Sequence, residues 1–327
     1  MGRGAYEHNY VALDLQELRA PHQGGKPTLI PFEFQQPAQE GDITVALYCG
    51  DNLQLADYLL TQSRRYRLIY IDPPFNSGKT YQARVGGSRE RRSAGVQAYA
   101  DERGLEDYLV WLEGRLTRCR ELLTDDGTLY IHLDWHTVHY VKVMLDRIFG
   151  RERFRNEIIW CYHGPSPITR AFNRKHDTIL VYTRSRSYYF NADAVRTPYN
   201  PATFKAFGSS PKAGFGKVPN LRRGKVPEDW WYFPVVARLH GERVGYETQK
   251  PLALLQRVIQ ASSEAGDHVL DLFAGSGTTG VAATQLGRHA VLADANPVAI
   301  EKSLVRLSRI EPRPLVSLWR CADEVAD

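Results

Sequence analysis

Cysteine, methionine and long apolar runs are all scarce in this sequence. Its four cysteines, Cys49, Cys119, Cys161 and Cys321, lie far apart in 327 residues and form no CxxC pair. That spacing excludes a disulfide framework and a zinc knuckle, and it reads as reduced thiols in a cytoplasmic protein. No apolar stretch reaches the ~18 residues that cross a bilayer, so no membrane partner is expected. The opening MGRGAYEHNY has no apolar h-region, which speaks against a cleaved signal peptide. With 43% hydrophobic and 24% charged residues the chain is not disordered as a whole. Its net charge of +5 is a mild pointer to an anionic partner.

What the sequence does have is alternation. Short β-branched and aromatic runs predict strands at 43–49, 67–71, 128–133, 157–162, 178–182, 268–273 and 289–293. Amphipathic patterns between them predict helices at 52–63, 105–123, 137–149, 251–263, 278–286 and 297–308. Strands separated by helices imply right-handed crossovers and an α/β fold, a mostly parallel seven-stranded sheet with helices on both faces. The runs at 157–162 and 178–182 are joined without a helix, so one of them is expected to run antiparallel. Residues 1–40 read as a polar arm of unassigned role and 311–327 as a C-terminal tail. The alternation fails over 185–245, which reads as an insertion dividing one domain into halves at 41–184 and 246–310.

From 194 to 227 there are seven basic residues, Arg196, Lys205, Lys212, Lys217, Arg222, Arg223 and Lys225, and no Asp or Glu. Phe204, Phe207 and Phe215 are interleaved with them, and Trp230-Trp231-Tyr232-Phe233 follows. Uncompensated positive charge suits a phosphate backbone and aromatics suit exposed bases, which makes Arg222, Arg223, Lys225 and Trp230 candidate DNA contacts. A solvated insertion whose rings fold back onto the domain has the same composition, and both readings stay open.

Two motifs carry chemistry. In the first, strand 67–71 ends in Asp72-Pro73-Pro74-Phe75. Ligands of open α/β sheets sit at the carboxyl ends of strands. Proline has a fixed φ and no N–H, so Pro73 presents a rigid carbonyl acceptor with no competing donor. Asp72 supplies a second acceptor beside it, and two adjacent acceptors suit the two hydrogens of a planar amino group. The Phe75 ring then stacks on the ring that bears the amine. A bare Asp-Pro-Pro is also a common strand-ending turn.

In the second motif, strand 268–273 ends in Asp271-Leu272-Phe273-Ala274-Gly275-Ser276-Gly277-Thr278-Thr279-Gly280. This is a glycine turn opening a helix, and Asp294 follows at close to the ~20 residues at which an acid reaches a ribose. A nucleoside cofactor is implied. Acidic Asp271 suits a cationic amino group better than a pyrophosphate, which favours S-adenosylmethionine over a dinucleotide. A nicotinamide-dependent oxidoreductase remains the rival from the glycine pattern alone. His132, His136 and His139 are spaced like partial metal ligands, but no further helical acid accompanies them and no metal is expected.

Together these residues resemble the β group of DNA amino-methyltransferases, whose hallmarks are [DNS]PP[YFW], here Asp72 to Phe75, and a later FxGxG, here Phe273 to Gly277. Gly50-Asp51-Asn52-Leu53, Arg174-Lys175-His176-Asp177 and Thr248-Gln249-Lys250-Pro251 also look like the family, and the likeness runs over about 44–310. The resemblance implies a Rossmann-like S-adenosylmethionine-dependent fold with a target-recognition insertion. It implies methyl transfer to a base flipped out of duplex DNA. Asp72 and Pro73 grip the amine, Pro74 completes the turn, and Phe75 stacks on the base. On the cofactor side it implies Asp51 at the adenine amino group, Asp294 at the ribose, and Asp271 with Phe273, Ala274, Gly275, Gly277 and Thr278 at the methionine end. Gln249 and Lys250 belong to a segment packed over the cofactor. Aspartate at 72 favours adenine N6 over cytosine N4. A cognate restriction endonuclease, a homodimer and a catalytically inactive DNA-binding relative are left open.

Overall fold

The computed structural model describes residues 29–32, 41–75, 80–84, 95–100, 104–209, 220–237 and 241–321. Its first half runs β1 (Leu29–Phe32), β2 (Thr44–Cys49), α1 (Asn52–Thr61), β3 (Tyr66–Ile71), β4 (Thr80–Arg84), β5 (Gly95–Ala100), α2 (Leu105–Leu122), β6 (Leu123–Leu133) and α3 (Val138–Phe149). The second half runs β7 (Phe154–Cys161), β8 (His176–Thr183), α4 (Pro201–Ser209), β9 (Trp230–Tyr232), α5 (Leu252–Ser262), β10 (His268–Asp271), α6 (Thr278–Gln285), β11 (His289–Asp294), α7 (Pro297–Leu307) and β12 (Leu315–Cys321). Helix starts follow local chemistry. The Asp51 carboxylate accepts from the Leu53 N–H at the start of α1, and Asn296 accepts from Val298 N–H ahead of Pro297 at the start of α7.

The main sheet has the order β1-β12-β2-β11-β10-β3-β6-β8-β7-β9, and β4 pairs with β5 in a separate hairpin. All seven expected strands are present and contiguous. From β2 through β11, β10 and β3 to β6 every pairing is parallel, and β8 is the strand that runs antiparallel.

Three further strands correct the expected boundaries. The supposed C-terminal tail contributes β12, which pairs in parallel with β2, and four residues of the supposed arm form β1 on its outer side. The insertion contributes β9, which pairs in parallel with β7 at the opposite edge. β12 finds its partners β1 and β2 far away in sequence, so nothing within 311–327 announced the pairing. Lys212, Phe215 and Lys217 lie outside the described residues.

Side chains alternate across the sheet and build two cores. Ile69 and Ile71 of β3 join Leu129 and Ile131 of β6 beneath α1, α2 and α3. Leu68 and Tyr70 face the other way, with Val269, beneath α5, α6 and α7. No described helix is long and apolar enough to cross a membrane.

Candidate active site

Four acids come together because of strand order. In the run β2-β11-β10-β3, Asp294 pairs with Cys49 and Leu270 with Ile69, so Asp51, Asp294, Asp271 and Asp72 all stand at the carboxyl ends of adjacent parallel strands. The two motifs, far apart in sequence, meet because β3 and β10 are neighbours. A cavity of about 510 Å³ opens there, lined by those acids and by Pro73, Pro74, Phe75, Gln249, Lys250, Phe273, Ala274, Gly275 and Thr278. Gly277 is not on its wall; it caps α6 with φ of 74°.

Each acid is already engaged by the fold. Asp271 is buried, one oxygen taking the Phe273 N–H (2.9 Å) and the other the Thr279 hydroxyl (2.5 Å). Burial pushes its carboxyl up to about 7, against the lowering effect of those two hydrogen bonds. Asp294 accepts from the Gly275 and Asn296 N–H groups, both at 2.8 Å, and burial pushes it up to about 6. Asp51 receives the Arg115 guanidinium on both oxygens, at 3.0 and 3.1 Å. Asp72 binds the Lys250 ammonium through Oδ2, while its Oδ1 is buried without a hydrogen-bond partner among the described residues.

The glycine turn has a scaffold that the motif alone does not reveal. Buried Arg306 on α7 donates to the Ser276 carbonyl (2.9 Å) and to the Thr278 hydroxyl (2.8 Å). A Cβ on Gly277 would stand 2.5 Å from Ser303 Oγ and 3.0 Å from Ser303 Cα, so both φ and space demand glycine there. Gln249 donates to the Glu242 carbonyl (2.7 Å) and accepts from the Val244 N–H (3.0 Å), which fixes the loop ahead of α5.

Sequence reasoning also missed Arg115 and a buried cluster around His132. Arg115 lies between Leu112 and Cys119 on the buried face of α2, donates to Asn52 Oδ1 (2.6 Å) and stacks on Trp111. An arginine in the apolar register of a helix was the available signal. His132, fully buried, bonds Tyr70 Oη (2.9 Å) and Asp177 (3.2 Å), and its ring stacks on Phe75 with centroids 5.9 Å apart. Burial pushes the Asp177 carboxyl up, but the His132 hydrogen bond and the charges of His132 and Lys250 hold it below its ordinary value. His136 bonds Asp134 (2.6 Å) instead of joining His132. Among the described residues no cluster of His, Cys, Asp and Glu is placed to hold a metal.

The basic insertion is less uncompensated than its sequence suggests. Asp193 and Glu228, just outside the acid-free stretch, fold back as counter-charges. Asp193 takes Arg223 (2.6 Å) and Arg196 (2.5 Å), and Glu228 takes Lys225. Arg222 is exposed, and Trp230 is 62% exposed on β9.

A family model described as DNA methylase matches residues 66–305. The type II methyltransferase M.HpaI of Haemophilus parainfluenzae is 32% identical over 241 residues, covering 73% of this chain and 67% of that protein. The DNA adenine methyltransferase YhdJ of Escherichia coli is 28% identical over 276 residues, covering 83% and 85%. Among solved structures, the PvuII cytosine-N4-specific DNA methyltransferase shares the fold, with a TM-score of 0.55 and 15% identity over 83% of this chain and 89% of that one. M1.HpyAVI in complex with SAM shares it too, with a TM-score of 0.54 and 19% identity over 80% and 98%. The model match spans more than two thirds of the sequence and takes in both the Asp72–Phe75 turn and the glycine turn: the chain belongs to the N6/N4 DNA methylase family.

Proposed function

We propose that the protein transfers the methyl group of S-adenosylmethionine to the exocyclic N6 of an adenine rotated out of duplex DNA. The observation that carries this reading is Asp72 Oδ1, a buried acceptor beside Pro73 at the cavity with no partner among the described residues. An unmet buried acceptor costs about 1–3 kcal/mol, which a ligand donor recovers. An amino group supplies one hydrogen to Asp72 and the other to the Pro73 carbonyl. Held in this way, its nitrogen is steered towards tetrahedral geometry and its lone pair leaves conjugation with the base. Phe75, backed by His132, offers the base a ring face.

The cavity also suits a cationic donor. Asp271 and Asp294 line it, and Arg115, a cation on its wall, is committed to Asp51. S-adenosylmethionine supplies a methyl group made electrophilic by its sulfonium. The residues then contribute position and electrostatic fit: Asp271 holds the cationic end, Asp294 the ribose, and the Asp72–Phe75 turn holds the amine in line.

A target base inside a duplex is out of reach, and rotating it out costs a few kcal/mol. We assign that compensation to phosphate contacts by Arg222 and stacking by Trp230. Arg223 and Lys225 contribute less, because their charges are already met by Asp193 and Glu228. Aspartate at 72 and the adenine specificity in the name of YhdJ support adenine over cytosine.

The test is transfer of labelled methyl groups from S-adenosylmethionine to unmethylated DNA. Wild-type protein labels DNA. Asp72→Ala loses turnover by at least about a thousandfold while retaining cofactor in equilibrium dialysis. Full turnover in Asp72→Ala contradicts the assigned role.

A further inference from the structure

Lys250 sits on the carboxylate and over the ring that the proposed function gives to the target base. Its ammonium is ion-paired with Asp72 Oδ2, the two side chains being only 11% and 16% exposed. The same nitrogen stands 5.3 Å from the centre of the Phe75 ring. One cation therefore holds the Asp72 carboxylate through its other oxygen and covers the ring face that the proposed function gives to the base. Resting on that reading of the site, we propose that Lys250 is a built-in stand-in for the target amine: it holds Asp72 in the free enzyme and must be displaced as the flipped base arrives.

The surroundings explain why a cation is needed there. Asp72 is faced by Asp271 from β10, by Tyr70 from its own strand and by Lys250 from the segment ahead of α5, with His132 of β6 and Asp177 of β8 behind them. Arg115 also lines the cavity but is bound to Asp51. The lysine holds the Asp72 carboxylate in position until the base takes its place over the Phe75 ring.

The construction lets the side chain swing while the backbone stays fixed. The Lys250 carbonyl accepts from the Thr278 hydroxyl (3.3 Å), Gln249 pins the preceding turn, and Pro251 restricts the backbone after it. The charge of Lys250 also helps to hold the Asp177 carboxyl low, so its field reaches a second carboxylate. Lys250 is thus a positioning residue acting through Asp72, and its removal has two separable effects. The base no longer competes with an ammonium for the ring, and Asp72 loses the partner that holds its carboxylate.

The experiment measures steady-state methylation of unmethylated phage DNA by wild type, Lys250→Met, Lys250→Gln and Lys250→Arg. Circular dichroism reports that each variant is folded. For Lys250→Met and Lys250→Gln, KM for DNA falls about fivefold while kcat also falls, because the ring is open but Asp72 is no longer held. Lys250→Arg raises KM, because a guanidinium grips the carboxylate with two hydrogen bonds. An unchanged KM in both uncharged variants overturns the proposal. If wild-type protein methylates no DNA at all, the reading of the site fails first; wild-type turnover with unmoved variants sinks the stand-in alone.

Discussion

Asp271 combines near-complete burial with two engaged oxygens, and burial dominates its titration. Its carboxyl is raised from 3.8 to about 7, so between those values the folded chain holds a proton that the unfolded chain has released. Stability of the cofactor-free protein therefore falls as pH rises through that window. A series of melting curves across the window should show Tm declining for wild type and declining less for Asp271→Asn, with Asp294 supplying the remaining slope. Equal slopes contradict this account. Over the same range cofactor retention runs the other way, weakening as pH drops and the acids lose their charge. Arg115 gives a second prediction at this scale. Arg115→Ala strands Asn52 Oδ1 and frees Asp51, so stability falls by about 2 kcal/mol in chemical denaturation and cofactor is held less tightly. A variant as stable as wild type would show that α2 only brushes past the site.

At the scale of elements, the glycine turn was legible and its support was not. Gly275, Gly277 and Gly280 announce a tight strand-to-helix turn, because close approach and positive φ select glycine whatever lies around it. Arg306 and Ser303, which hold that turn from α7, carry no local signature; they become visible only when a helix packs against it. Gly277→Ala is predicted to cost about 3 kcal/mol or more, since strain and a clash with Ser303 of α7 add together. An unchanged denaturation midpoint would mean that α7 yields easily. The Asp72–Phe75 turn was equally readable, whereas its contact with Lys250 was not: sequence spacing says nothing about a pair brought together by the β3-β10 neighbourhood.

Across the whole molecule, alternating periodicity disclosed the seven central strands, but not the three that flank them. β1, β9 and β12 are short or follow irregular segments, and their partners are set by tertiary contact. Charge showed the same limit. The acid-free stretch looked uncompensated because its counter-charges, Asp193 and Glu228, lie just beyond its ends. This makes a discriminating prediction for DNA binding: Arg222→Ala lowers the slope of log affinity against log salt by about one unit, and Arg223→Ala by clearly less. Equal changes in the two would show that DNA displaces Asp193.

The central claim is that Asp72 and Pro73 grip the amine of a flipped adenine next to a sulfonium donor. Mass spectrometry of nucleosides from DNA methylated by the purified protein tests it most directly. The account predicts N6-methyldeoxyadenosine with wild-type protein and none with Asp72→Ala; N4-methyldeoxycytidine, or DNA left unmodified by the wild type, would contradict it.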